Sequence, residues 1–329
     1  CALIAILLVL DYATFHILLS GSYLWLLGVI TGILGWVMVA YPRGVLVGQG
    51  KFTQYSTILA LEAILRILLC GLAWIFPHAA PQFLAAAMGI PMIIAGVYGM
   101  IILHYPNDMA VTITTLGKKT TTLFTEQISM TVVALGIQVV ASTAPLWLAA
   151  NTPAASIATV GMFVSATSYI RIPILFAGGI QAITLNKTTS YASTGRWKDI
   201  QQLTTKTLKN SAFISTAATL ILLAISVPAL TIFYGPGIQT TWLLLVTLGV
   251  STVMLIANNI ITQIGLASNK STTFAKIWLT VAVITTIILA VFANTMLTAA
   301  IGTAIGMILA FIALAYVIYT KLGSKTTIP

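Results

Sequence analysis

Apolar runs of about twenty residues recur along the whole of this chain, and ~30 Å of hydrocarbon needs about that many helical residues to cross it. Every backbone amide inside a bilayer must find its partner within the protein, so runs of this length are expected to be helices. Composition removes the soluble alternative. The chain is 59% hydrophobic and 6% charged, with a mean hydropathy of +1.05, whereas a soluble domain carries roughly a quarter charged residues. The sequence predicts an all-α polytopic membrane protein.

The predicted spans are 1–10 (partial), 18–41, 54–76, 82–103, 122–149, 154–183, 210–232, 239–266, 274–293 and 296–320. The net charge of +10 would suit a nucleic-acid binder, but its placement argues for a membrane instead. Alternate connections, each taken with the first turn of the next span, hold thirteen of the fifteen Lys and Arg residues; the other connections hold none. Basic loops stay in the cytoplasm. The expected topology is therefore multi-pass, with the C-terminus cytoplasmic and no nucleic-acid partner. The chain opens in apolar sequence at Cys1 without a Met and reads as starting part-way along a helix. Span parity then predicts an even number of preceding helices if the native N-terminus is cytoplasmic, and two would give twelve in all. Cys1 and Cys70 are too few for a disulfide framework.

Internal similarity gives the same number. A shift of 219 residues superposes Lys51 on Lys270 and Tyr55 on Phe274, each Lys standing between a small-residue helix end and a hydroxyl-rich restart. The expected architecture is two pseudo-symmetric six-helix bundles, the first lacking about two helices: a partial bundle in 1–104, a cytoplasmic linker in 105–121, and a six-helix bundle with a cytoplasmic tail in 122–329. Within the second bundle, Gly195 marks a turn. The stretch "RWKDIQQLTTKTLKN" after it reads as a basic amphipathic helix, with Trp197 at headgroup level among the membrane lipids.

No nucleotide-binding loop or soluble-type catalytic constellation occurs, and His16, His78 and His104 are too scattered to suggest a metal site. No large loop is present to carry a glycan transferase or polymerase. A non-enzymatic protein without cofactors is expected, any coupling ion being unassigned. The ionisable residues within spans are the candidates for function, because each is costly in hydrocarbon unless paired or facing a cavity. Glu62 and Arg66 share a helix face at i, i+4, either as a structural ion pair or as cavity groups. Glu126 lies near the start of its span, where it reads as a first-turn acid facing the helix dipole or as a cavity group. Arg171 has no acid within reach on its own helix. It must face a wet interior or bind another helix, and Pro173 would free a carbonyl nearby to help solvate it. Asn258 and Asn259 add hydrogen-bonding capacity, with interhelical bonding as their ordinary role. Pro145 and Pro173 are candidate hinges.

The stretches "RGVLVGQGKFTQYS" (43–56), "YIRIPILFAGGIQAI" (169–183), "STGRWKDIQQLTTKTL" (193–208) and "VPALTIFYGPGIQTTWLLLVTLG" (227–249) carry a family resemblance. The chain resembles polysaccharide-biosynthesis flippases, the O-antigen-translocase-like members of the multidrug/oligosaccharidyl-lipid/polysaccharide exporter superfamily, from the third helix to the twelfth. The resemblance implies two bundles around a central cavity. It implies alternating-access movement of an undecaprenyl-pyrophosphate-linked oligosaccharide, with polysaccharide polymerases as possible partners. Arg171 and Arg66 are the positions that could match the family's cationic cavity residues. A cation- or proton-coupled multidrug exporter of the same superfamily is the alternative.

Overall fold

The computed structural model describes residues 23–104, 120–152, 157–235, 237, 240–268 and 270–323. The partial span at 1–10 lies outside them, as does all but the end of the 105–121 linker. The chain divides into two compact units, Cys1–Thr112 and Ile113–Pro329. Among the described residues there are α-helices and one short 3-10 turn, and no strand. Among the described residues, seven helices are long and apolar enough to cross a membrane, and a bent pair makes an eighth if counted as one span. The protein is a polytopic helical membrane protein.

In the first unit, α1 (Tyr23–Gly48), α2 (Phe52–Ile75) and α3 (Ala80–His104) pack around a small core of Val39, Leu46, Ile58 and Ala95. The α1–α3 seam is close enough that a Cβ on Gly89 would lie 2.3 Å from the Thr31 carbonyl carbon. Small residues permit such contact where lipid gives helices little hydrophobic reason to associate. The predicted span 18–41 was expected to end at Tyr41, before "PRG". Helix α1 instead runs through Pro42 to Gly48. The ring of Pro42 nests on Gly99, where a Cβ would lie 2.8 Å from it. The extra two turns bring Arg43 into the helix, so it is a span residue rather than a loop cation.

The second unit contains α4 (Thr120–Ser142), α5 (Ala144–Asn151), α6 (Ile157–Ile170), α7 (Ile172–Ser193), α8 (Trp197–Ala224), α9 (Ser226–Tyr234), α10 (Trp242–Ala267), α11 (Ser271–Phe292) and α12 (Met296–Gly323). Three stretches expected as single spans are interrupted: 122–149 bends by 47° between α4 and α5, 154–183 breaks at Arg171, and 210–232 breaks at Ile225. Each break falls within three residues before a proline, at Pro145, Pro173 and Pro228. Proline lacks the amide that would bond the carbonyl four residues back, and it is best tolerated in the first turn of a new helix. Pro91, by contrast, lies inside the continuous α3.

Polar side chains from other helices meet these ends. The Tyr169 hydroxyl donates to the Leu222 carbonyl at 2.7 Å, just before the α8–α9 break. Asn151 Nδ2 donates to the Ala290 carbonyl at 3.0 Å, near the end of α11. Helix α8 is continuous from Trp197, so the expected amphipathic segment is its first half. Trp197 packs against the core that includes Ile200 and Phe274, and Arg196 stacks over Tyr191 at 4.8 Å while bonding Asp199 at 2.5 Å.

The junctions around Lys51 and Lys270 have matching hydrogen bonds at the 219-residue shift. The Lys51 amide donates to the Leu46 carbonyl at 2.9 Å, and the Lys270 amide to that of Gly265 at 3.2 Å. The Tyr55 and Phe274 amides donate to the Lys51 and Lys270 carbonyls, both at 3.1 Å. Packing differs where the backbone agrees: Leu46 in one junction corresponds to Gly265 in the other, whose missing side chain admits the Phe274 ring. A Cβ on Gly265 would lie 2.2 Å from that ring. Gly265→Ala is expected to cost about 1–3 kcal/mol by overpacking, lowering the melting midpoint in detergent. Adding Phe274→Leu should recover most of the loss. A G265A protein melting with the wild type would contradict the packing.

Candidate functional site

Arg171 is the residue at the α6–α7 break, where it precedes the first turn of α7. Its Nη2 donates to the Ala141 carbonyl at 2.5 Å, one residue before the end of α4. A cation near a helix C-terminus meets the negative end of the helix dipole. The carbonyl it binds is the one deprived of a donor by Pro145, since the amide of residue 145 would serve residue 141 in an α-helix. The sequence reading expected a carbonyl freed by Pro173 on the same span. The structure gives Arg171 one freed by Pro145 on another.

The guanidinium also lines a cavity of about 190 Å³, together with Ser142, Thr167, Ser168, Phe163, Leu248 and Thr303. Pro145 is on the rim as well. Among the described residues no carboxylate forms an ion pair with Arg171. The cavity therefore offers a cation against a largely apolar wall. The Thr167, Thr303 and Ser142 hydroxyls donate to Phe163, Ala299 and Gln138 on their own helices, so the guanidinium is what suits it to an oxyanion. Arg171 is both an interhelical anchor and a cavity group, the two roles left open by the sequence.

In the first unit, Glu62 is 8% exposed and accepts from two arginines. Arg66 Nη2 donates to its Oε1 at 2.9 Å, and Arg43 Nη2 donates to its Oε2. Sequence reasoning found the i, i+4 pair and missed Arg43. The result is a triad of formal charge +1 rather than a neutral pair. Arg43 is the more enclosed of the two cations, and its Nε is buried with no hydrogen-bond partner among the described residues. The 219-residue shift places Thr262, Val281 and Thr285 at the corresponding positions of the second unit. There the junction is held by apolar packing and by Trp278 Nε1 donating to Thr262 Oγ1 at 3.1 Å. The charges are thus no requirement of this helix junction.

The remaining candidates lie elsewhere. Asn258 is fully buried and donates from Nδ2 to the Met307 carbonyl at 2.8 Å, joining α10 to α12. Its Oδ1 has no partner among the described residues. Asn259 is half-buried beside it and does not line the Arg171 cavity. Glu126 is half-buried and also away from that cavity. Because α4 begins at Thr120, Glu126 stands in the second helical turn, not the first as expected. Pro173 is buried behind Arg171.

Fold and site together define a membrane-spanning helical protein with an arginine at one helix break and a small cavity beside it. Among solved structures, the chain matches the crystal structure of a MATE mutant with a TM-score of 0.63 and 16% identity, over 90% of this chain and 69% of the other. The fold is MATE-like. No protein-family model matches the chain, and no curated protein matches it.

Proposed function

We propose that this chain is the membrane body of a non-enzymatic exporter or flippase, working by alternating access. Its cargo we read as an undecaprenyl-pyrophosphate-linked oligosaccharide, moved from the inner to the outer leaflet of a bacterial plasma membrane for cell-surface polysaccharide synthesis. The observation that carries this reading is Arg171, a cavity-lining guanidinium with no carboxylate partner among the described residues. A diphosphate group would complete it through charge-assisted, bidentate hydrogen bonds. The MATE-like fold supports the exporter class. A polymerase consuming the flipped glycan is the partner class this reading expects.

A cation- or proton-coupled multidrug exporter is the second reading. It is favoured by the likeness to the MATE structure and by the buried carboxylate of Glu62. Reconstituted vesicles separate the two. Flipping of a fluorescent polyprenyl-diphosphate oligosaccharide, without pH-driven movement of ethidium, is expected. Ethidium movement with a static glycan lipid would establish the second reading instead.

A further inference from the structure

The α4–α5 bend and the cavity share one cation. Pro145 leaves the Ala141 carbonyl without its helical donor, and the Arg171 guanidinium fills the vacancy from another span. The same guanidinium borders the cavity, alongside the hydroxyl-bearing Ser142, Thr167, Ser168 and Thr303. Its two possible acceptors differ in strength. A neutral amide carbonyl has no net charge, whereas a phosphate oxygen does, and can be gripped by two parallel N–H groups. An entering oxyanion therefore competes well for this guanidinium, and a neutral or cationic ligand does not. The carbonyl left behind would border a cavity of about 190 Å³, roomy enough for a water to satisfy it.

We propose that Arg171 is a ligand-released latch. Without cargo it holds the open carbonyl of Ala141 and fixes the α4–α5 bend; a phosphate oxyanion in the cavity draws the guanidinium away and lets the bend change. This rests on the reading of the cavity as an anion site. Pro145 is the positioning residue, because it creates the acceptor that engages Arg171 when the cavity is empty. A ligand shifts a conformational equilibrium only by its differential affinity for the two states, and the latch supplies that difference through one shared donor.

The full chain carrying Cys1→Ser, Cys70→Ser, Leu146→Cys and Leu175→Cys places spin labels on exposed positions of α5 and α7. Inorganic pyrophosphate should shift the distance between them, whereas chloride at equal ionic strength should not. Calorimetry on the same protein reads binding separately. Pro145→Ala restores an amide for Ala141, so it should sit at the shifted distance without ligand and bind pyrophosphate roughly tenfold tighter, the competing bond being gone. Binding by the parent protein with an unmoved distance overturns the latch while leaving the anion site intact. Absence of binding overturns the anion site and the latch with it. The parent measurement does not depend on P145A folding.

Discussion

Arg171→Gln should slow transport of a diphosphate-linked cargo by about 100-fold, the equivalent of roughly 3 kcal/mol for losing charged hydrogen bonds to the phosphate. Glutamine keeps an N–H donor for the Ala141 carbonyl, so the protein should still fold and reach the membrane. Arg171→Lys keeps the charge and loses the planar fork that matches two phosphate oxygens. Its rate should fall between the two, about tenfold below the wild type. Initial rates in vesicles, set beside melting midpoints in detergent, separate loss of cargo binding from loss of fold. Wild-type transport by R171Q would end the assignment of this cavity to the cargo.

The largest loss of stability is expected from Glu62→Ala. Removing one partner from a buried ion pair leaves an uncompensated charge, at about 3–5 kcal/mol. Arg66 is 43% exposed at its side chain and Arg43 only 20%, so Arg43 accounts for most of that cost. The lower end, about 3 kcal/mol, is the appropriate expectation. The arginine substitutions should rank accordingly. Arg43→Ala should lower the melting midpoint well below wild type, and Arg66→Ala by much less, because an exposed pair contributes about 1 kcal/mol or less. Equal losses for R43A and R66A would contradict the geometry of the triad.

The membrane-spanning class and most helix positions were legible because hydrocarbon thickness imposes a length that a sequence displays directly. The bends were less so. Proline signals a missing hydrogen bond, but Pro91 and Pro42 lie in continuous helices while Pro145, Pro173 and Pro228 follow breaks. What distinguishes them is the surroundings: Pro42 has Gly99 to nest on, and the carbonyl opened by Pro145 has Arg171. Neither partner is near in sequence.

Arg43 was hidden by its own context. "YPRG" resembles a helix end, and a basic residue there fits the charge pattern of a cytoplasmic connection. One signal could have exposed it. Glu62 needed a cation in an apolar span, and Arg43 is the first arginine back across the Gly50 turn, which has φ of 70°. The candidate residues of each unit were thus half readable: Arg171 in the second unit and the Glu62–Arg66 pair in the first came from charge in hydrocarbon, while Arg43, the Ala141 carbonyl and the cavity hydroxyls depend on which helices meet within each unit.

The match between Pro145 and Arg171 has a consequence for how this fold can change over time. The proline opens a carbonyl, and the arginine becomes affordable in an apolar setting because that carbonyl is open. The two are therefore not independent characters. A descendant that replaced Pro145 with an ordinary helix former would leave Arg171 without its resting partner, held in place only by its role toward the cargo. One that lost Arg171 first would keep a bare kink. Divergence at this bend should pass through paired changes in two distant stretches of sequence.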